Sequence, residues 1–293
     1  MALRKKDEIS GTETTGHEWD GITELDTPMP RWWLWTYYAC IAFALGYVIA
    51  YPAWPLVRGA TPGLLGYSSR VELLKEVDTA HAAQSAQLDK VKALSLEDIR
   101  KDADLLQFAV AGGRAAFRIN CSQCHGSGAA GGKGYPNLND DDWLWGGTLD
   151  QIHTTVQHGV RYIADPETRQ SPMPAFGADA ILNPEQINDV ADYVLKLSGQ
   201  ASDPDAALRG ATVYAENCAA CHGDAGEGKQ EFGGPRLTDA ITLYVSDKAS
   251  IVAQINKPRQ GVMPAWSSRL DEATIKQLAV YVHSLGGGEM PVP

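Results

Sequence analysis

The chain has 293 residues, room for about two domains, and its 44% apolar content is enough for packed cores and excludes a disordered polypeptide. A formal net charge of −11 argues against nucleic acid as a partner and against adsorption to an anionic lipid surface. Residues 101–293 carry 15 basic and 23 acidic side chains, a surface that suits either a basic docking partner or simple solubility.

Residues 1–31 form a hydrophilic arm. Residues 32–57, Trp32 to Val57, contain no formal charge and are bounded by Arg31 and Arg58. That run exceeds the ~20 residues that cross a bilayer core. Aromatic residues mark both ends, with Trp32, Trp33, Trp35, Tyr37 and Tyr38 at one and Tyr51 and Trp54 at the other. From Trp33 to Trp54 is roughly 31 Å of helix, the separation of two interfacial belts. The run is too long, and too far from the start, to read as a signal peptide, so an uncleaved transmembrane helix is predicted. Ala42, Gly46 and Ala50 fall on one face, where small residues admit a neighbouring helix, although Ala and Gly are common in such segments anyway. Cys40 reads as a small buried apolar side chain.

Residues 58–104 read as a helical linker. Pro52, Pro55 and Pro62 turn the chain, and Val71 to Leu106 then shows helical spacing of Leu and Val among polar residues. Ser95 with Asp98 three positions on has the form of a helix start.

Two pentapeptides follow, Cys121-Ser-Gln-Cys124-His125 and Cys218-Ala-Ala-Cys221-His222. Thiols at this spacing form two thioethers to one porphyrin, and the adjacent histidine falls beneath the iron, so each motif predicts one covalently bound haem c. The motifs belong to an internal repeat: Gly113 to Phe117 matches Gly210 to Tyr214, and Met173-Pro-Ala-Phe176 matches Met263-Pro-Ala-Trp266. Each copy closes with an amphipathic helix, one around Asn183–Leu197 carrying Tyr193, the other around Asp271–Leu285 carrying Tyr281. Within each copy the glycine and aromatic face of the first helix is expected to cross the aromatic of the last. The pattern resembles the class I cytochrome c fold twice over. The predicted fold class is therefore all-α, with one N-terminal transmembrane helix, a helical linker and two tandem cytochrome c domains at residues 105–200 and 201–293.

His125 and His222 are the predicted proximal ligands. In the cytochrome c family a proline carbonyl after the motif accepts a hydrogen bond from that histidine, and Pro136 and Pro235 resemble it. Met173 and Met263 are the predicted sixth ligands, since a neutral thioether favours ferrous iron. Whether each methionine serves its own repeat or the two are exchanged is open at this level. His153 and His158 are a rival source of a ligand in the first copy. Trp143, Trp145 and Trp266 read equally as haem shields or as core. Six-coordinate irons leave no place for substrate, which points to outer-sphere electron transfer rather than peroxidase chemistry.

The strings flanking the apolar run narrow the family. Gly16-His-Glu-Trp-Asp-Gly-Ile22, Glu24-Leu25, Pro28, Pro30-Arg-Trp-Trp33, Tyr51-Pro-Ala-Trp-Pro-Leu56 and Gly66-Tyr-Ser-Ser-Arg70 resemble the dihaem subunit (subunit III, CcoP/FixP type) of the cbb₃-type haem–copper cytochrome c oxidase. That resemblance implies membership of a respiratory complex in the bacterial inner membrane. It implies a donor cytochrome c, a monohaem cytochrome c subunit as acceptor, and a catalytic haem–copper subunit that reduces oxygen and pumps protons. The chain itself is then no enzyme, only a relay. Covalent haem attachment takes place in the periplasm, which puts the N-terminal arm in the cytoplasm and the residues after about 58 outside. A free-standing membrane-bound dihaem carrier serving another reductase or a dehydrogenase is the alternative.

Overall fold

The computed structural model describes residues 4–200, 202–239, 242–245 and 247–290, and the chain divides into two compact units, Met1–Ala82 and Ala83–Pro293. The architecture is mostly helical, as the repeat pattern predicts, but the first unit also holds two small antiparallel hairpins.

In the first unit β1 (Thr14–Trp19) pairs with β2 (Ile22–Leu25), with Trp19 opposite Ile22. The turn between them is Asp20-Gly21 with both residues at positive φ, 50° and 86°, which matches the twist of the flanking strands. Helix α1 (Arg31–Ala50) follows; its 20 residues span about 30 Å and none of its side chains is buried. The helix stops well before Val57. Tyr51 precedes Pro52, whose ring disfavours the helical conformation in the residue before it, and Tyr51 is extended at φ −114° and ψ 161°. Trp54 therefore lies beyond the helix, next to a second hairpin of β3 (Pro55–Leu56) and β4 (Gly59–Ala60). The chain then folds back on the helix end. Leu64 N–H donates to the Ile49 carbonyl (2.9 Å) and Leu65 N–H to that of Ala50 (3.0 Å), pairing acceptors that a helix C-terminus leaves open. Gly63, at φ 72°, makes this approach possible, because a Cβ there would stand 2.6 Å from the Tyr51 carbonyl carbon. Cys40, expected to be buried, is exposed on α1.

Helix α2 (Ser69–Ala93) crosses the division between the units, and α3 (Leu96–Lys101) starts where expected, with Ser95 Oγ accepting from Asp98 N–H (3.1 Å). The second unit continues with α4 (Ala103–Asn120), α5 (Ser122–His125), α6 (Leu149–His158), α7 (Pro184–Leu197), α8 (Pro204–Asn217), α9 (Ala219–His222), α10 (Lys248–Asn256) and α11 (Glu272–His283). Among the longer helices, α4 and α6 to α8, α10 and α11 all begin at an Asp, Asn or Thr whose side chain accepts from the first turn.

These helices form two cores, and the cores do not follow the repeats. In the first lobe, Leu105, Ala109 and Phe117 of α4 pack with Leu149 and Ile152 of α6 and with Ile275, Leu278 and Tyr281 of α11. In the second, Ile187, Val190 and Leu195 of α7 pack with Tyr214 of α8 and Ile251 and Ile255 of α10. The crossing expected within each copy is thus exchanged between copies. Gly113 lies under α11, where a Cβ would sit 2.6 Å from Tyr281 Cβ, and Gly210 lies under α7, where a Cβ would sit 2.9 Å from Val190 N. Phe117 meets Tyr281 (5.5 Å between ring centres), and Tyr214 meets Tyr193 (5.0 Å). A short link, 198–203, joins α7 to α8 and favours their packing. Helices joined so tightly lie beside each other, so α7 pairs with α8 and leaves α4 to the only remaining closing helix, α11. Residues 105–200 and 201–293 are repeats in sequence; each lobe draws helices from both.

Candidate functional site

Each Cys-x-x-Cys-His motif forms a single helical turn after a long helix. His125 N–H donates to the Cys121 carbonyl (2.9 Å) and His222 N–H to that of Cys218 (3.0 Å), which puts the second cysteine and the histidine on the same turn as the first cysteine. None of the four thiols is paired in a disulfide. Cys124 and Cys221 are exposed, whereas burial, with the neighbouring thiol second, pushes Cys121 and Cys218 up to about 11, so they remain protonated.

The proximal imidazoles are held from behind. His125 Nδ1 lies 3.2 Å from the Pro136 carbonyl oxygen and His222 Nδ1 lies 3.0 Å from that of Pro235. A carbonyl only accepts, so Nδ1 carries the proton and Nε2 presents its lone pair. Burial depresses both histidines below their ordinary value, and the proline carbonyls oppose this only in part, so both rings are neutral near pH 7. The loops from motif to proline are closed by backbone bonds, Gly131 N–H to the His125 carbonyl (2.8 Å) and Gly228 N–H to that of His222 (2.7 Å). In the second copy Tyr214 Oη also donates to the Gly223 carbonyl (2.7 Å), a support that sequence reasoning did not identify.

The two methionines are brought to opposite lobes. Met263 exchanges both backbone hydrogen bonds with Val160 at the end of α6 (2.9 and 3.0 Å), and Trp266 N–H donates to Val156 (3.2 Å). This seats the second repeat's Met-Pro-Ala-Trp on the first lobe, where Met263 packs against the core that includes Phe117 and Cys121. Met173 packs against the core that includes Tyr214 and Cys218, and its carbonyl accepts from Gln260 Nε2 (2.9 Å). Cys121, Cys124 and His125 thus share a lobe with Met263, and Cys218, Cys221 and His222 share one with Met173. The donor set in each lobe, two thiols, a neutral imidazole with Nε2 free and a thioether, fits a covalent haem c.

The rival histidines are committed elsewhere. His158 sits between two carboxylates, with Nδ1 3.2 Å from Asp165 and Nε2 3.1 Å from Glu167. His153 Nε2 lies 3.3 Å from Glu272 of α11, close but not aligned for a hydrogen bond, and burial lowers its pKa against the pull of that carboxylate. Trp143 packs against the first core and donates from Nε1 to the Gly287 carbonyl (2.6 Å); Trp266 packs there too, under Arg269. Two buried carboxylates on α7 were not foreseen. Asp189 receives a fork from Arg209 of α8 (2.6 and 2.8 Å), and Asp192 receives Lys248 of α10 (2.6 Å), so the second lobe is fastened by charge as well as packing. An Asp at each of two positions on the inner face of an amphipathic helix was the signal for them.

Comparisons with known proteins identify the family. Residues 11–58 match the family described as the N-terminal domain of cytochrome oxidase-cbb3, FixP, and residues 108–194 and 205–282 match the family described as cytochrome C oxidase, cbb3-type, subunit III. Among curated relatives, a "Cbb3-type cytochrome c oxidase subunit FixPc" from Rhizobium leguminosarum bv. viciae is 53% identical over 288 residues, covering 98% of this chain and 100% of the relative. A "Cbb3-type cytochrome c oxidase subunit CcoP" from Cereibacter sphaeroides is 54% identical over 276 residues, covering 94% and 95%. Another subunit CcoP, from Azospirillum brasilense, is 54% identical over 296 residues, covering 99% and 100%.

Proposed function

The chain belongs to the family of cbb₃-type cytochrome c oxidase subunit III, a cytochrome c component of the oxidase complex, and from that premise we propose that it is a membrane-anchored dihaem relay without catalysis of its own. It takes electrons from a donor cytochrome c and passes them to a monohaem cytochrome c subunit, and from there to the haem–copper subunit that reduces oxygen. Its N-terminal arm lies in the cytoplasm and its two lobes in the periplasm, held by α1.

Each haem c, when attached, supplies an iron that changes oxidation state by one electron. Cys121 and Cys124 hold one by thioethers, and Cys218 and Cys221 the other. His125 and Met263 would hold the iron of the first, His222 and Met173 that of the second. Pro136 and Pro235 keep each imidazole turned and strengthen it as a donor. A thioether ligand in place of a second imidazole would favour the reduced iron, which suits electron transfer at higher potential.

The observation that carries this reading is the packing of Met263 and Cys121 against one core and of Met173 and Cys218 against the other. It is tested in the full-length chain carrying Cys121→Ala and Cys124→Ala, which leaves one haem. In that background Met173→His lowers the potential of the remaining haem and Met263→His leaves it unchanged; the reverse result overturns the axial assignment. The complex itself is tested by purification from native membranes: the chain should bring b-type haem and copper with it, and a carrier that purifies free of both refutes the oxidase role.

A further inference from the structure

The exchange of helices places one aromatic side chain from each repeat against the site formed around the other repeat's haem motif. Trp145 precedes the N-cap of α6 by three residues, and Tyr244 precedes that of α10 by three, so they are equivalent positions. Both lie in the stretch joining a haem loop to the next helix of the same lobe, and both reach the haem loop of the other lobe.

Trp145 reaches Gly233, two residues before Pro235 in the loop that orients His222. Gly233 is left-handed at φ 61°, and a Cβ there would stand 2.7 Å from Trp145 Cη2. Arg169, four residues before Met173, covers the indole at 5.5 Å from the ring centre. Its guanidinium is pinned by donation to Thr155 Oγ1 (2.9 Å) and the Gln151 carbonyl (3.2 Å). Tyr244 does the converse. It lies against Gly134, two residues before Pro136 in the loop that orients His125; a Cβ at Gly134, which has φ 88°, would be 3.1 Å from Tyr244 Cε1. The phenol oxygen would be 3.1 Å from a Cβ at Gly261, two residues before Met263, and Arg161 Nε donates to the Gly261 carbonyl (2.7 Å). Gly134 N–H also donates to the Leu243 carbonyl (2.8 Å), fixing the residue beside the ring.

Each ring therefore touches the proximal loop of the opposite lobe; Tyr244 also meets the segment that carries Met263, whereas Trp145 is covered by Arg169, which is anchored on α6 of its own lobe. Only glycine permits that approach in a left-handed backbone. We propose that Trp145 and Tyr244 are reciprocal positioning residues: Trp145 sets the surroundings of the haem at Cys218 and Cys221, and Tyr244 those of the haem at Cys121 and Cys124. Tyr244 restrains the methionine segment as well, and a ring wedged against the loop behind the imidazole fixes that ligand's direction and the hydrogen bond behind it. A reduction potential depends on both. The pairing of methionine with haem used here is the one proposed above.

The test is a resolved redox titration of the purified full-length chain, with the two signals assigned by covalent attachment through the Cys121→Ala, Cys124→Ala variant. Trp145→Leu shifts the potential of the haem at Cys218 and leaves the other in place. Tyr244→Leu shifts the haem at Cys121 and leaves the other, while Tyr244→Phe, which keeps the ring, retains native potentials. If the leucine variants do not mature with two haems, Trp145→Phe decides, because the smaller ring moves the same haem in the same direction. A shift confined to each residue's own repeat, an equal shift of both haems, or no shift overturns the proposal. Since assignment rests on the thioethers, failure of the axial exchange would appear separately, in the Met173→His and Met263→His result.

Discussion

Single residues show where this fold has no room. Gly113 sits in the middle of α4, where alanine would ordinarily favour the helix by about 1 kcal/mol. Here the added methyl meets Tyr281 Cβ and the backbone of Gln277, neither of which can swing away. Overpacking wins, and Gly113→Ala is expected to destabilise the chain by about 1–3 kcal/mol in thermal or denaturant unfolding. Gly128→Ala, with nothing within 4 Å, leaves the midpoint near native. Tyr214→Phe leaves the buried Gly223 carbonyl without its donor and costs about 1 kcal/mol, read by the same measurement. The haem motifs were legible in the sequence because their chemistry is local, five residues at fixed spacing, whereas Pro136 and Pro235, 11 and 13 residues from their histidines, were read from the likeness to the cytochrome c family. The partner of each methionine was not, since Met173 and Met263 stand in near-identical strings and either arrangement satisfies the same pattern.

At the level of elements, start signals read well where side chain and backbone cooperate within one turn. Ser95 caps α3 as expected. The Asp20-Gly21 turn passed unnoticed in a string read for family likeness, although those two residues between Trp19 and Ile22 are a strong hairpin signal. Pro52 likewise marked the end of α1, but the uncharged run continued to Val57 and hydropathy overruled it. The caps make a prediction about acid. The carboxyls of Asp203 and Asp247 are held below their ordinary value of 3.8, Asp203 by the N–H of Ala206 and then of Asp205, Asp247 by the Ser250 hydroxyl and N–H. Asp271 is lowered too, burial opposing and the Thr274 bonds prevailing. A depressed carboxyl stabilises the fold fully above 3.8 and loses that contribution as pH falls from there through the folded value. Circular dichroism should therefore show helix loss steepening below about pH 4. Asn at 203, 247 and 271 caps comparably without titrating, so the triple variant should lose less helix over that interval.

For the second unit as a whole, the shared cores mean that the repeats are not separable. A chain ending at residue 200 contains α4 and the Cys121 motif but lacks α11 and Met263, which close the first lobe. Such a chain should fail to keep a six-coordinate haem, measured by loss of the methionine-to-iron absorption band. Supplying residues 201–293 as a separate, co-expressed chain should restore it. Intact haem spectra from the truncated chain alone would contradict the exchanged packing. The repeat was evident from matching strings 97 residues apart, yet the interlocking was not, because a duplicated sequence invites the assumption of two beads. The physical clue was the six-residue link 198–203, which favours packing between the two helices it joins.

The interlocking also governs the order of maturation. The half synthesised first must wait for the last helix of the polypeptide before its interior can shut, whereas the half that begins later already holds most of its walls by Asn256. The earlier haem pocket is thus the later to seal, and any premature stop near the C-terminus harms the pocket farthest from it along the chain.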